Sequence, residues 1–169
     1  MTRNEISSNQ ITVTRFNVTS SKTFDAVIFD LHAAVRYPYF SALRQALDQT
    51  ATYEDFEMLI GGVVGSSGFM EFIRFDQGDV LRKKNGETAP QSIRLILGNP
   101  VIMAQIVELV PDAGSYAPVT ILVDERPDGV HVSYDEMCGL LAPYQSARAS
   151  SIARDLDTKI ESLITSIAA

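Results

Sequence analysis

Two alternating apolar runs, Val119–Glu125 and Val130–Tyr134, are separated only by Arg126-Pro127-Asp128-Gly129. Proline presets the first central position of a type I turn, and aspartate suits the second. A glycine after them accepts the positive φ of a bulge. The segment therefore predicts a β-hairpin, and a hairpin forces antiparallel pairing. Three more strands are expected: Ile11–Val18, rich in β-branched residues, Phe69–Gly78 and Gln91–Leu97.

Helical spacing fills the rest. Phe24, Val27, Ile28, Leu31 and Val35 make one apolar stripe within 22–36, which Tyr37-Pro38 ends. Phe40–Gln49 is a short helix. Thr52 opens another, with Asp55 three residues on as a capping box, and Gly61–Gly68 closes it. Val80–Lys84 is too short to assign. Val101–Val110 forms a helix ended by Pro111, and Asp135 is placed to cap a short helix reaching Leu141. A long helix runs from Ser146 to Ile167. The order predicts an α+β domain, an antiparallel sheet with helices packed on one face. One helix is expected among the last four strands. No linker or repeat divides residues 1–169, so a single domain is expected, with residues 1–9 disordered and 37–68 a helical insertion.

Composition narrows the functional classes. The net charge is −7, from 21 acidic and 14 basic residues. That excess opposes contact with a row of phosphates, so neither nucleic acid nor an anionic membrane is an expected partner. A single cysteine, Cys138, cannot form an internal disulfide. With no apolar leader in MTRNEISSNQ, the expected compartment is the cytoplasm. No Cys-x-x-Cys, His-x-x-x-His or Gly-x-Ser-x-Gly pattern is present, so no metal or cofactor is expected.

Three stretches invite a functional reading. Gly98-Asn99-Pro100 joins a strand to a helix. Asparagine is a favoured N-cap and proline a favoured first helical residue, so capping alone explains the triplet. A ligand reading would use the same helix start to receive an anionic group. Gly61–Gly68 resembles a phosphate loop only in its glycines, because it lacks the Lys-Ser/Thr and follows a helix. Within Phe69–Gly78, alternation puts Arg74 and Asp76 on one strand face with Met70 and Phe72. Glu71 falls on the other, with Phe69, Ile73 and Phe75. Charges among large apolar groups mark either a shielded site or an ion pair at the sheet rim.

From about residue 70 onward the chain resembles the bacterial and fungal family called domain of unknown function 302. Gly98, Asn99 and Pro100 carry the resemblance, followed by Pro111, Gly114, Pro118, Gly129, Ser133 and Tyr134 in one order. The segment Arg74-Phe75-Asp76-Gln77-Gly78 is similar to one that reads Phe-Asp-His-Gly in relatives, with Gln77 where the histidine would be. The resemblance implies a TATA-binding-protein-like α+β fold and a homodimer, and it implies no activity.

Three functions follow as expectations. The first is binding of a small, largely apolar molecule between the sheet and the helices of residues 40–68, with Phe72, Arg74, Asp76, Gln77, Gly98 and Asn99 around it. The second is a cofactor-independent isomerase or cyclase. Asp76 would be its general base, with Arg74 or Tyr134 steadying developing negative charge. The third is a structural homodimer.

Overall fold

The computed structural model describes Ile6, Ser8 and residues 10–169. The elements are β1 (Arg15–Ser20), α1 (Phe24–Ala34), α2 (Phe40–Leu47), α3 (Tyr53–Val63), β2 (Met70–Asp76) and α4 (Gln77–Asn85). Then come β3 (Ser92–Gly98), α5 (Pro100–Val107), β4 (Val119–Arg126), β5 (Gly129–Asp135), α6 (Met137–Leu141) and α7 (Ala147–Ala168). One sheet takes the order β1-β5-β4-β3-β2, and every neighbouring pair is antiparallel. This is an α+β fold with helices on an antiparallel sheet.

The hairpin forms as its turn residues dictate. Arg126 pairs with Gly129, leaving Pro127 and Asp128 at the tip. Gly129 sits at φ 138°, and a Cβ there would lie 2.6 Å from the Ser20 carbonyl oxygen. Glycine is thus required twice, by the backbone angle and by the close approach of β1.

Alternation then sorts the side chains. Leu95 and Leu97 of β3, Ile121 and Val123 of β4, and Val132 and Tyr134 of β5 all face the same side, and all are buried. Helices α1, α5 and α7 cover that side, with Val27, Leu31, Ile106, Ile160 and Ile164 in one continuous core. Each such residue contributes roughly 1.5–3 kcal/mol of burial free energy. The last carbonyls of α7 have no partner within the helix. Ser20 Oγ donates to Ala168 O at 2.6 Å, and Lys22 Nζ donates to Ile167 O at 3.3 Å. The end of the chain is thereby tied to the end of β1.

Local signals that were clear hold. Thr52 and Asp55 complete a reciprocal capping box at the start of α3, both bonds at 3.1 Å. Other expectations need correction. Strand β1 begins at Arg15 rather than Ile11, because sheet pairing starts at Arg15–Asp135. Residues 12–14 instead run past α6, with the Thr14 carbonyl accepting from Glu136 N at 3.0 Å. The disorder expected over residues 1–9 falls mostly outside the described residues. Strand β2 stops at Asp76, whose Oδ1 accepts from Asp79 N at 2.7 Å and so starts α4. Two helices, α4 and α5, therefore lie among the last four strands where one was expected.

Asp135 does not cap α6. Its carboxylate takes two hydrogen bonds from Arg15, at 2.6 and 2.8 Å, on the adjacent strand. The cap comes from 20 residues away in sequence. Asp157, buried on α7, accepts from Met137 N at 2.8 Å, Cys138 N at 2.9 Å and the Tyr134 hydroxyl at 2.6 Å. Burial, and then the bond to Asp157, push the Tyr134 phenol far above its usual range.

This cap generates a stability prediction. Asp157→Ala strands two amides and a phenol in the core, so it lowers the unfolding free energy by about 2–4 kcal/mol in urea titrations. A loss below about 0.5 kcal/mol would show that water replaces the carboxylate without difficulty.

Candidate functional site

Strand β2 carries a bulge. Glu71 pairs with Leu97 but Ile73 pairs with Ile96, so Phe72 has no counterpart on β3. The extra residue resets the alternation. Arg74 and Asp76 share a face, as expected. Their companion on that face is Glu71, not Met70 or Phe72, because Glu71, Arg74 and Asp76 stand opposite Leu97, Leu95 and Ile93. Ile73 and Phe75 lie on the uncovered face.

The space between the sheet and residues 40–68 is filled. Leu43, Ile60 and Met70 are buried there, with Phe40, Phe56 and Phe72 packed around them. Phe40 stacks on Phe72 with ring centroids 5.8 Å apart. A cavity of about 390 Å³ opens elsewhere, at the end of the sheet where β3 gives way to α5 and β4 begins. Phe72, Gly98 and Asn99 form part of its wall, with Ile102 and Met103 of α5 and Pro118. Helix α5 is apolar on nearly every side. Ile106 enters the main core, Val101 packs on the α2–α3 cluster, and Ile102 and Met103 are left to face the cavity. At Gly98 the wall is tight, since a Cβ would meet Pro118 Cβ at 3.2 Å and Phe72 Cε2 at 3.6 Å.

Asn99 does cap α5, its Oδ1 accepting from Val101 N at 2.9 Å. Its Nδ2 also donates to Gly68 O at 3.0 Å, which anchors the glycine-rich connection. Each polar atom of the amide still has one hydrogen-bonding position left. The remaining sequence candidates do not meet here. Asp76 is half exposed, caps α4 and pairs with Arg82 at 3.2 Å. Gln77 is the exposed first residue of α4 and borders a broad hollow of about 620 Å³ that also touches Arg15 and Arg94. Tyr134 is held by Asp157. Asp76, Arg74 and Tyr134 thus each serve a separate structural partner: Arg82 and the start of α4, Glu71, and Asp157.

The matched motifs are all in place around β3, α5 and the β4–β5 hairpin. A family model described as Domain of unknown function DUF302 matches residues 43–167. The chain belongs to the DUF302 family. The match starts within α2, so it takes in most of the helical segment expected to be an insertion. A solved structure titled as the uncharacterized conserved protein DUF302 from Bacillus stearothermophilus superposes with a TM-score of 0.64 at 14% sequence identity. It covers 92% of this chain and 98% of that one. At that identity the likeness speaks for the fold. No curated protein matches the sequence. In this DUF302 chain no described helix is long and apolar enough to cross a membrane. Among the described residues, no group of three or more His, Cys, Asp or Glu side chains is placed to hold a metal ion.

Sequence reasoning missed one cluster in the DUF302 chain. Glu71 is only 2% exposed. It accepts from Arg74 Nε at 3.0 Å and from Arg74 Nη2 at 2.7 Å, and that guanidinium also touches His32 of α1. No alternation pattern could reveal this, because the bulge that aligns residues 71 and 74 has no local signature. Burial first, and then the neighbouring Arg74 charge, hold the His32 imidazole below its ordinary pKa, with Glu71 opposing. Folding therefore favours neutral His32. Its contribution to stability is complete above about pH 6.5 and is lost as the pH falls through the lower folded value. An NMR titration of the His32 ring is expected to give a midpoint below 6.5; a midpoint at or above that value contradicts the packing of α1 on β2.

Proposed function

We propose that this DUF302 protein binds a small, largely apolar molecule in the cavity beneath α5. The observation that carries the reading is the cavity itself, about 390 Å³ and walled by Phe72, Gly98, Ile102, Met103 and Pro118, with the Asn99 amide at its rim. Binding sites usually have that size and that mixture, an apolar wall and a few fixed polar groups. The arrangement fits a ligand with one hydrogen-bonding end. Asn99 can offer it one donor and one acceptor while keeping its bonds to Val101 and Gly68.

The test uses N-phenyl-1-naphthylamine, an uncharged fluorophore. Saturable fluorescence enhancement is expected with the native chain. Met103→Trp fills the cavity and should weaken probe binding at least about tenfold, which corresponds to about 1.4 kcal/mol, with little change in thermal stability. Equal binding by the variant would place the probe elsewhere and remove the support for this site.

A second reading, self-association, draws on the uncovered sheet face. Ile73 and Phe75 are 44% and 46% exposed. Ile96 pairs with Ile73, and Phe75 and Leu122 flank Arg94, so four apolar side chains share this face around one guanidinium. Such a strip is suited to burial against a second copy. Light scattering after size-exclusion chromatography is expected to give a dimer mass that Phe75→Glu converts to a monomer. A monomeric native chain at high concentration excludes this reading and leaves the cavity reading standing.

A further inference from the structure

We propose that the cleft between the end of α1 and the edge strand β2 is a second site, one that binds a small monovalent carboxylate between Arg36 and Arg74. The cleft holds about 550 Å³ and is lined by His32, Val35, Arg36, Tyr37, Glu71, Ile73 and Arg74. Its charge runs against that of the chain. Two arginines and a single carboxylate line it, so a positive charge is left over in a protein of net charge −7. A buried ion pair is a poor route to stability, since desolvation offsets much of its attraction. What Glu71 does achieve is orientation. It occupies the Nε and Nη2 side of the Arg74 guanidinium and leaves Nη1 for another acceptor.

Arg36 is exposed and held by a single side-chain hydrogen bond. Its Nη1 donates to Gly62 O at 2.7 Å, and its own carbonyl accepts from Glu71 N at 2.8 Å. The same backbone bond joins the end of α1 to β2, so the two cations are carried by elements locked together. The β2 bulge aims Arg74 at the cleft, and bulges commonly re-aim side chains beside functional sites. Arginine presents its N–H groups in a planar fork that matches a carboxylate. Tyr37, which is exposed, offers an apolar surface for the rest of the ligand. His32 faces Arg74 and Glu71, and Arg36 and Tyr37 complete the ionisable lining. With His32 neutral, the surplus of one charge suits a monoanion. Protonated His32 adds a second charge, so binding strengthens as the pH falls and bound carboxylate raises the His32 midpoint.

Sodium benzoate is the probe, titrated against sodium chloride at equal ionic strength and followed by NMR. Saturable shifts are expected at residues 32–37 and 71–74, together with a rise in the His32 midpoint. Benzamide, which lacks the charge, should leave these signals in place, and inorganic phosphate at pH 7.5 should bind more weakly. Arg36→Gln keeps an amide donor for the Gly62 carbonyl and is expected to weaken benzoate binding about tenfold. Arg74→Lys keeps Glu71 paired but loses the fork, and should weaken it too. Shifts no larger with benzoate than with chloride, or unchanged affinity in both variants, would overturn the proposal. Binding of N-phenyl-1-naphthylamine beneath α5 should be the same in these variants, so the two sites stand or fall separately.

Discussion

One-sided burial of the antiparallel sheet governs this molecule. Leu95, Leu97, Ile121, Val123, Val132 and Tyr134 reach the core only in the observed register. A slip of one residue would send a whole strand's apolar set to the uncovered face and bring polar groups such as Arg94, Asp124 or Ser133 under the helices. Helices α1, α5 and α7 owe their positions to that layer. So does the tie between Ser20 and the end of α7, because Ser20 lies on the buried face of β1 only while β1 keeps its pairing with β5.

The exception to regular alternation is where the candidate chemistry lies. Without the bulge at Phe72, Glu71 and Arg74 would project from opposite faces and could not pair. With it, Phe72 turns to the α2–α3 cluster and the apolar cavity, while Glu71 and Arg74 turn to α1. A single extra residue therefore separates an oily site from a charged one on the same edge strand. Keeping them apart is physically sensible, since a guanidinium pointed into the cavity beneath α5 would have lost its water with no carboxylate to replace it.

Sequence reading reached the features that depend on near neighbours. The β4–β5 hairpin, the Thr52–Asp55 box and the Asn99-Pro100 helix start are written within four residues each, and all three appear as expected. Features that depend on distant partners were not legible. Asp135 looked like the cap of α6 by position, yet Arg15 lies opposite it on β1, and Asp157 arrives from α7 to do the capping. Helix α4 was hidden because Gln77–Asn85 has little apolar periodicity, and Asp76 starts it from what reads as a strand. The candidate cavity divides along the same line. Gly98 and Asn99 were singled out by the motif at the strand–helix junction and Phe72 by the apolar strand, but for a pocket against residues 40–68; the cavity lies under α5 because α2 and α3 fill that space.

Among the described residues two carboxylates are buried, Glu71 and Asp157, and they differ in what surrounds them. Asp157 is surrounded by donors that the fold must satisfy in any case: the first amides of α6 and the Tyr134 hydroxyl. Its burial is explained by structure alone. Glu71 is different. Its side-chain partner is Arg74, a charged group still 29% exposed that opens onto a cleft, and no helix start or buried hydroxyl depends on its carboxylate. An apolar pair of similar volume at 71 and 74 would fit beside Leu95 and Leu97 at no greater cost. The retained charge makes sense as a means of holding Arg74 still at the mouth of that cleft, where a fixed guanidinium binds an anion with less loss of side-chain freedom than a mobile one.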